Sequence, residues 1–469
     1  MRPRILCLLI AGLSAGCAVG PKYQRPATAV PSDFRTPARL APDQAASIAD
    51  LKWFDVFEDE TLRELVRTAL ARNYDLQLAV ARVGAASAQL GITRSEQYPD
   101  VGAGTAIQFN RLSRDGATPI PRAVLPSQNR NFGTAAVQLV SFEIDIWGRL
   151  RSATEAARAN LLSTEEARKA VVTTLVSQVA TAYLTLRELD YTLEISQRTL
   201  QTREESLTLT RQRQAGGVST QLDLRQAEQL VYTAAQRIPA IRQQIEQTEN
   251  EISLLLGENP GDVPRGRTFE EQGFPPEVPA GLPSSLLERR PDIRAAEQNL
   301  IAANAQIGVA RAAYFPRLSL SSLLGGASTQ LSSLFSGASS TWSFVPQVTQ
   351  PIFTGGRIGS GVRLAQAERE GAVAQYQKTI QTAFAEVSDA LIAHQRMRES
   401  REQQEALVEA LRDRLRLAYL RYRGGVDTQL NALDADRDLF QAQLDLAQIR
   451  LNEILSVVQL YRALGGGWQ

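Results

Sequence analysis

The chain has 469 residues, enough to bury several cores and, in a soluble protein, to divide into two to four domains. Its 51 lysines and arginines are balanced by 50 aspartates and glutamates, a formal net charge of +1. No overall field is available to hold a nucleic-acid backbone or an anionic surface, so nucleic acid is excluded as an expected partner.

Residues 1–16 read as a secretory signal: Met1-Arg2-Pro3-Arg4, the apolar run Ile5 to Leu13, then the small residues Ser14-Ala15-Gly16 before Cys17. The run is too short to cross a bilayer, which needs ~20 apolar residues. No later segment supplies one, so a helical transmembrane protein is excluded, and a soluble periplasmic protein, a lipid-anchored one and a membrane β-barrel remain. Cys7 lies inside the signal and Cys17 at its end, which leaves the mature product one thiol and no internal disulfide. Ser14-Ala15-Gly16-Cys17 resembles a bacterial lipobox, in which the cysteine is acylated and becomes the new N-terminus. It departs at one position: Leu13 sits one residue earlier than the usual leucine, with Ser14 in its place. In such lipoproteins Ala18 after the cysteine favours delivery to the outer membrane, and two or three acyl chains anchor firmly where one binds marginally. Residues 17–60 are expected to form a lipid-anchored extended segment.

The remainder is a tandem duplication. Ala85-Ala86-Ser87-Ala88-Gln89-Leu90-Gly91 pairs with Ala302-Ala303-Asn304-Ala305-Gln306-Ile307-Gly308, and Tyr98-Pro99 with Phe315-Pro316. Trp147-Gly148-Arg149-Leu150 pairs with Gly355-Gly356-Arg357-Ile358, and Gly216-Gly217-Val218-Ser219-Thr220-Gln221-Leu222 with Gly424-Gly425-Val426-Asp427-Thr428-Gln429-Leu430. Pro316 follows Pro99 by 217 positions and Gly356 follows Gly148 by 208, so the first copy carries the longer insertion, around Arg111 to Asn129.

Module one spans 61–256. An Ala-rich helix over about 61–97 ends before Pro99. A β-hairpin over about 99–147 follows, with Val101, Ala103, Thr105, Ile107 and Phe109 alternating with small or polar residues, and Val140, Phe142, Ile144 and Ile146 alternating with Ser141, Glu143 and Asp145. A long helix over about 150–213, the Gly216-Gly217 turn and a return helix over about 219–256 complete it. Leu175, Val179, Ala182, Leu186, Leu189 and Leu193 step by 4 and 3, as do Ile238, Ile241, Ile245, Thr248, Ile252 and Leu255, the spacing of a coiled-coil seam. Pro239 is expected to kink the second run. The stripe reads as hairpin packing rather than a binding groove.

Residues 257–283, rich in Gly and Pro, read as an irregular connector. Module two spans 284–464: a helix over about 284–314, a hairpin over about 316–354 in which Trp342, Phe344, Pro346 and Val348 alternate with Ser343, Val345, Gln347 and Thr349, and helices over about 358–422 and 428–464. At 1.5 Å per residue the longer helices reach on the order of 95 Å. The tail 465–469 reads as disordered.

Chemistry is sparse. His394 is the single histidine and lies mid-helix, which excludes a Ser-His-Asp triad and any multi-histidine metal site. Gly356-Arg357-Ile358-Gly359-Ser360-Gly361 matches neither nucleotide fingerprint and is explained by a strand-to-helix turn. No enzyme, cofactor or metal is expected. Alternating strands can form a soluble sandwich in a periplasmic coiled-coil scaffold. Four strands in lipid, however, cannot close alone, and open sheet edges are forbidden there because backbone groups find no water. A spanning barrel therefore needs several chains.

Four segments carry a resemblance: Cys17-Ala18-Val19-Gly20-Pro21-Lys22-Tyr23-Gln24-Arg25-Pro26, Phe142-Glu143-Ile144-Asp145-Ile146-Trp147-Gly148-Arg149, Leu282-Pro283-Ser284-Ser285-Leu286-Leu287-Glu288-Arg289-Arg290-Pro291-Asp292-Ile293 and Tyr422-Arg423-Gly424-Gly425-Val426-Asp427-Thr428. The chain resembles the outer-membrane efflux protein family, in particular the lipoprotein branch that serves RND-type drug efflux. The resemblance implies an α+β membrane protein: a homotrimer whose twelve-stranded β-barrel, four strands per chain, continues into a periplasmic α-helical coiled-coil barrel, with the connector in an equatorial region. It implies as partners a periplasmic adaptor (membrane fusion) protein, an inner-membrane RND pump and outer-membrane lipid through acylated Cys17.

Asp427, Leu430, Asp434 and Asp438 step by 3, 4 and 4 onto one helix face, whereas their mates Ser219, Leu222, Gln226 and Leu230 carry no acid. Asp427 also suits an N-cap, where an acid is favoured by the macrodipole. By resemblance, Leu430 and Asp434 form an apolar and an acidic ring closing the periplasmic end, with Arg421 and Tyr422 near the contacts that lock it. Three converging Asp434 carboxylates make a cation-selective constriction. The adaptor is expected to dock near Gly217, Val218 and Ser219 and near Gly425, Val426 and Asp427. The alternative duty for such a duct is type I protein secretion or metal export.

Overall fold

The computed structural model describes residues 19–28, 30, 31, 34, 35, 47, 53, 59–113, 123, 128–272 and 283–467. The signal, Cys17, most of the first hairpin's loop and the end of the connector lie outside them. Two compact units are built from interleaved stretches, one from residues up to 26, 83–163 and 296–376, the other from 27–82, 164–295 and 377–469.

In the first unit, β1 (Val101–Arg111), β2 (Asn129–Ile144), β3 (Arg317–Ser328) and β4 (Ser340–Thr349) form one antiparallel sheet in that order. The two hairpins, one from each copy, join through β2 and β3. Cross-strand partners share a face, so the register sorts the side chains. Val101 opposes Leu139 and Ala103 opposes Val137. Val137 opposes Leu324, Phe142 opposes Leu320 and Ile144 opposes Leu318. Leu324 in turn opposes Trp342, Leu320 opposes Pro346 and Leu318 opposes Val348. These residues make one apolar face across all four strands. The other face carries Gly102, Gly104, Ala106, Gln108, Thr134, Ala136, Gln138, Glu143, Ser319, Ser321, Ser343 and Gln347, with Phe132, Leu323 and Val345 as its larger apolar members.

A bulge makes this possible. Between Leu139 and Phe142 two residues of β2 face one of β3, and the apolar parity of the sequence switches at that point, from Val137 and Leu139 to Phe142 and Ile144. An inserted residue rotates the following side chains by one position, so the greasy set stays on one side. The strand ends at Ile144, and the expected alternation through Ile146 gives way to a turn closed by Ile146 N–H donating to the Ile144 carbonyl at 2.9 Å. Among the described residues nothing covers the outer members of the apolar face: Phe109 is 76% and Trp342 75% exposed.

The helix preceding each hairpin is interrupted rather than continuous. Over 61–97 there are two helices, α1 (Glu60–Arg72) and α2 (Tyr74–Ser95). Asn73 leaves α1 in extended geometry; its Oδ1 accepts from Leu76 N–H and its Nδ2 donates to the Leu255 carbonyl, each at 3.0 Å, so the amide caps the next helix and ties it to a carbonyl far along the chain. In the second copy a 3₁₀ turn and the one-turn α5 (Leu286–Arg289) precede α6 (Pro291–Ala312), where Pro291 takes the first helical position and gives up no needed N–H.

The second unit is helical. α3 (Arg149–Ala215) and α4 (Gln221–Leu256) form one hairpin, α7 (Arg357–Arg423) and α8 (Gln429–Ala463) the other. Leu175, Val179, Ala182, Leu186 and Leu189 are buried together with Ile241, Ile245 and Ile252, in one core that also takes in Leu62, Leu65 and Val66 of α1. At roughly 1.5–3 kcal/mol per large apolar side chain removed from water, this seam is the main source of cohesion. α4 runs through Pro239 as a single helical element.

Asp59 ties the connector to this core. Its carboxylate, 2% exposed, accepts from Thr61 and Leu62 N–H, Tyr183 hydroxyl, Arg267 N–H and the Gln272 amide. Of the tail, residues 465–467 are described, and these are tied down where disorder was expected: Gly465 and Gly466 N–H donate to the Arg462 and Tyr461 carbonyls at 2.9 and 3.0 Å. Gly466 packs on the Tyr461 ring so closely that an added Cβ would stand 2.5 Å from it.

Candidate functional site

The candidate site gathers around the two glycine turns. Each helix ends in the same motif: Gly217 and Gly425 adopt φ of 75° and 71°, and Val218 and Val426 N–H donate to the Arg213 and Arg421 carbonyls at 2.8 and 3.1 Å. Glycine is the residue that takes this left-handed step without a Cβ clash. Val218 and Val426 then project outward, 69% and 67% exposed. Ser219 N–H also donates to the Arg213 carbonyl, at 3.3 Å.

The return helices start differently in the two copies. In module one Thr220 caps α4 and exchanges hydrogen bonds with Asp223, a complete capping box. In module two the mate of Asp223 is Asn431. Thr428 is the N-cap of α8 and makes no side-chain cap bond, so Asp427 is not the cap that its position suggested. Asp427 instead accepts from Thr428 N–H at 2.8 Å, from Asn431 Nδ2 at 2.7 Å and from Arg421 Nε at 2.9 Å. The Arg421 guanidinium and these N–H donors hold its carboxyl below the usual carboxylate range.

Leu430, Asp434 and Asp438 share a face of α8. Leu430 is 46% exposed, a large apolar side chain without cover in the single chain. Asp434 pairs with Arg437 at 3.1 Å, and Asp438 with Arg414 at 2.8 Å and Arg437 at 3.2 Å. The Arg414 guanidinium, ahead of Arg437, lowers the carboxyl of Asp438. Each acid of the stripe is therefore paired with an arginine of its own chain, which the spacing of the acids alone did not reveal.

Tyr422 is buried. Its hydroxyl donates to Gln429 Oε1 at 3.3 Å, Gln429 Nε2 donates to Thr210 Oγ1 at 2.8 Å, and the Arg213 guanidinium sits 4.8 Å above its ring. Arg203 lies a few turns away, paired with Asp436 and stacked 4.9 Å from the Phe440 ring. These links join α3 of module one to α8 of module two. Thr210, Gln429, Arg203 and Asp436 were missed in the sequence because each partner lies more than 200 residues away; the one available signal was a charge at Asp436 inside an otherwise apolar stripe.

Cys17 lies outside the described residues. The segment just after it is fixed: Arg25 donates twice to Glu297, at 2.7 and 2.6 Å, Tyr23 hydroxyl once at 3.0 Å, and Asn304 Nδ2 donates to the Pro21 carbonyl at 2.9 Å. Val19 N–H reaches the Trp147 carbonyl at 3.4 Å. Trp147 stacks on Phe315 with ring centroids 4.6 Å apart. Among the described residues no group of metal-ligating side chains and no helix long and apolar enough to cross a membrane is found.

Comparison with known proteins places this geometry among relatives. The family model described as outer membrane efflux protein matches residues 65–258 and 282–466. The chain is 38% identical to the probable efflux pump outer membrane protein TtgC of Pseudomonas putida over 472 aligned positions, covering 100% of this chain and 96% of that protein. It is also 38% identical to the outer membrane protein OprJ of Pseudomonas aeruginosa, over 99% of this chain and 96% of OprJ. The open-state crystal structure of the Neisseria gonorrhoeae MtrE outer membrane channel superposes with a TM-score of 0.87 at 32% identity, covering 97% of this chain and 99% of that one.

Proposed function

The chain belongs to the outer membrane efflux protein family, and on that premise we propose that it is a subunit of an outer-membrane channel, the exit duct of a tripartite efflux pump. It passes small molecules such as drugs from the periplasm to the outside. The observation that carries this is the sheet: one face apolar and uncovered across four strands, the other small and polar, with β1 and β4 each presenting a free edge in the single chain. Such a sheet is stable in lipid only when other copies satisfy those edges. Three copies give twelve strands around a polar lumen.

In this assembly acylated Cys17 anchors the chain in the periplasmic leaflet of the outer membrane, and the strap that follows it begins with Val19 bonded to Trp147. Tryptophan at that level suits a membrane interface. The turns at Gly217-Val218-Ser219 and Gly425-Val426-Asp427 receive the helical hairpin of a periplasmic adaptor, which links the duct to an inner-membrane RND pump. Leu430 and Asp434 converge at the closed periplasmic end, with Arg421, Tyr422 and Asp427 in the contacts that hold it.

Cell fractionation tests the assembly. The protein is expected in the outer-membrane fraction as an oligomer of three chains that resists detergent at room temperature and separates on heating. A monomer recovered in the soluble periplasm would contradict it.

A further inference from the structure

The two helical hairpins are copies displaced by 208 positions, so each seam residue of one has a mate in the other. In module one Leu186 and Ile245 are buried in the core and Leu193 packs against it, while the Thr248 hydroxyl donates to the Gln244 carbonyl of its own helix. Their mates in module two are His394, Arg401, Glu453 and Ser456. Around them Val387, Ala390, Ile449 and Leu460 keep the apolar character of Val179, Ala182, Ile241 and Ile252. At three of the four matching positions an apolar seam residue has been exchanged for a polar or charged one, and at the fourth a hydroxyl is kept.

The four polar residues form a connected set. His394 Nδ1 lies 3.1 Å from Ser456 Oγ, Ser456 Oγ donates to the Glu453 carbonyl at 2.6 Å, and Arg401 Nε donates to Glu453 Oε2 at 2.7 Å. Glu453 and Ser456 are each 2% exposed. Arg401 also donates to Glu405, which accepts from Arg450 as well. The Glu453 charge is thus already matched. His394 has the Ser456 hydroxyl as its hydrogen-bond partner and no carboxylate of its own. The charges acting on it are Glu453 on α8, already paired with Arg401, and Arg398 on its own helix. Half-buried beside a carboxylate that Arg401 already holds, the ring is favoured in its neutral form over the imidazolium.

We propose that the second helical hairpin contains an acid-sensitive joint: protonation of His394 loosens α7 against α8 around residues 386–401 and 449–460, while the first hairpin, with no titratable group at the matching positions, is unaffected. Burial holds the imidazole below its ordinary value of 6.5, with Glu453 opposing and Arg398 reinforcing that shift. A folded-state value below the unfolded one means that the unfolded chain binds the proton more readily. The stabilisation is therefore present above pH 6.5 and is lost as the pH falls below it toward the folded value.

Hydrogen exchange read by mass spectrometry on the full-length purified protein tests this at about pH 7.5 and about pH 5.5, after correction for the intrinsic rate. Acid is expected to raise the opening of 386–401 and 449–460 several-fold in the native protein and to leave 178–193 and 241–252 unchanged. His394→Leu, which installs the residue of the first copy, is expected to abolish the response. His394→Gln keeps a hydrogen bond to Ser456 and cannot titrate, so it gives the same reading if the leucine variant fails to fold. An equal acid response in native and glutamine proteins, or in both hairpins, would overturn the proposal. The readout does not depend on transport, so it stands or falls apart from the channel assignment.

Discussion

Arg203 on α3 donates from Nε to Asp436 Oδ2 on α8 at 2.6 Å, with the two side chains only 4% and 11% exposed. The guanidinium also donates to the Leu230 carbonyl at 3.0 Å and covers Phe440. Truncating one partner leaves the other buried and unmatched, whereas removing both leaves an apolar contact. Asp436→Ala is expected to lower stability by about 3–5 kcal/mol, and Arg203→Met with Asp436→Leu to recover most of it. Thermal unfolding in detergent checks the ordering; equal losses in single and double variants would count against the pair as a link between the two copies.

The acids of the second glycine turn act with their arginines. Arg437 touches both Asp434 and Asp438, so Arg437→Ala is expected to uncover negative charge and raise cation selectivity, while Asp434→Ala lowers it. Leu430→Ala, which trims the exposed apolar side chain, is expected to enlarge the conductance several-fold. Reversal potentials and conductances in planar bilayers measure all three. A channel as closed and as selective after Asp434→Ala and Leu430→Ala as before would remove these residues from the gate.

The strap that follows Cys17 is held by Glu297 and Asn304. Cys17→Ser is expected to abolish incorporation of a radioactive fatty acid and to leave the strap in place. Unchanged labelling would sink the lipid anchor.

Asp59 carries a pH dependence. Burial pushes its carboxyl up most strongly, but hydrogen bonds from Gln272, Tyr183, Thr61 and Leu62 together bring it below its ordinary value of 3.8. The folded value is depressed, so this stabilisation is present above pH 3.8 and is lost as the pH falls through the folded value. Asp59→Asn is expected to cost about 1–3 kcal/mol at neutral pH and to flatten the acid limb of the stability profile. Unfolding midpoints between neutral and strongly acidic buffer test this, and an unaltered acid limb would assign it to other groups.

Much of the fold class was legible because duplication and periodicity are local signals. The glycine pairs at 216–217 and 424–425, the seam from Leu175 to Leu189 and the alternation in β1 and β4 each reflect a backbone rule acting over a few residues. The bulge at Val140-Ser141 was visible only as a parity switch whose meaning depends on β3. Asn73 broke a helix that composition alone extends, because its amide caps α2 and at the same time bonds the Leu255 carbonyl of α4, a partner that the sequence does not show. The start of the tail misled because three glycines suggest freedom, while Gly466 is small in order to lie against Tyr461. At the candidate site the acids were legible and their partners were not: Arg414, Gln429 and Thr210 are ordinary helical residues until the hairpins bring them together.

The channel assignment is tested most directly by single-channel recording of the purified native protein in a planar bilayer. Discrete current steps with a preference for cations are expected, small at rest and larger when Leu430 is trimmed. A folded oligomer extracted from the outer membrane that inserts into the bilayer and passes no current, with or without Leu430→Ala, would contradict it.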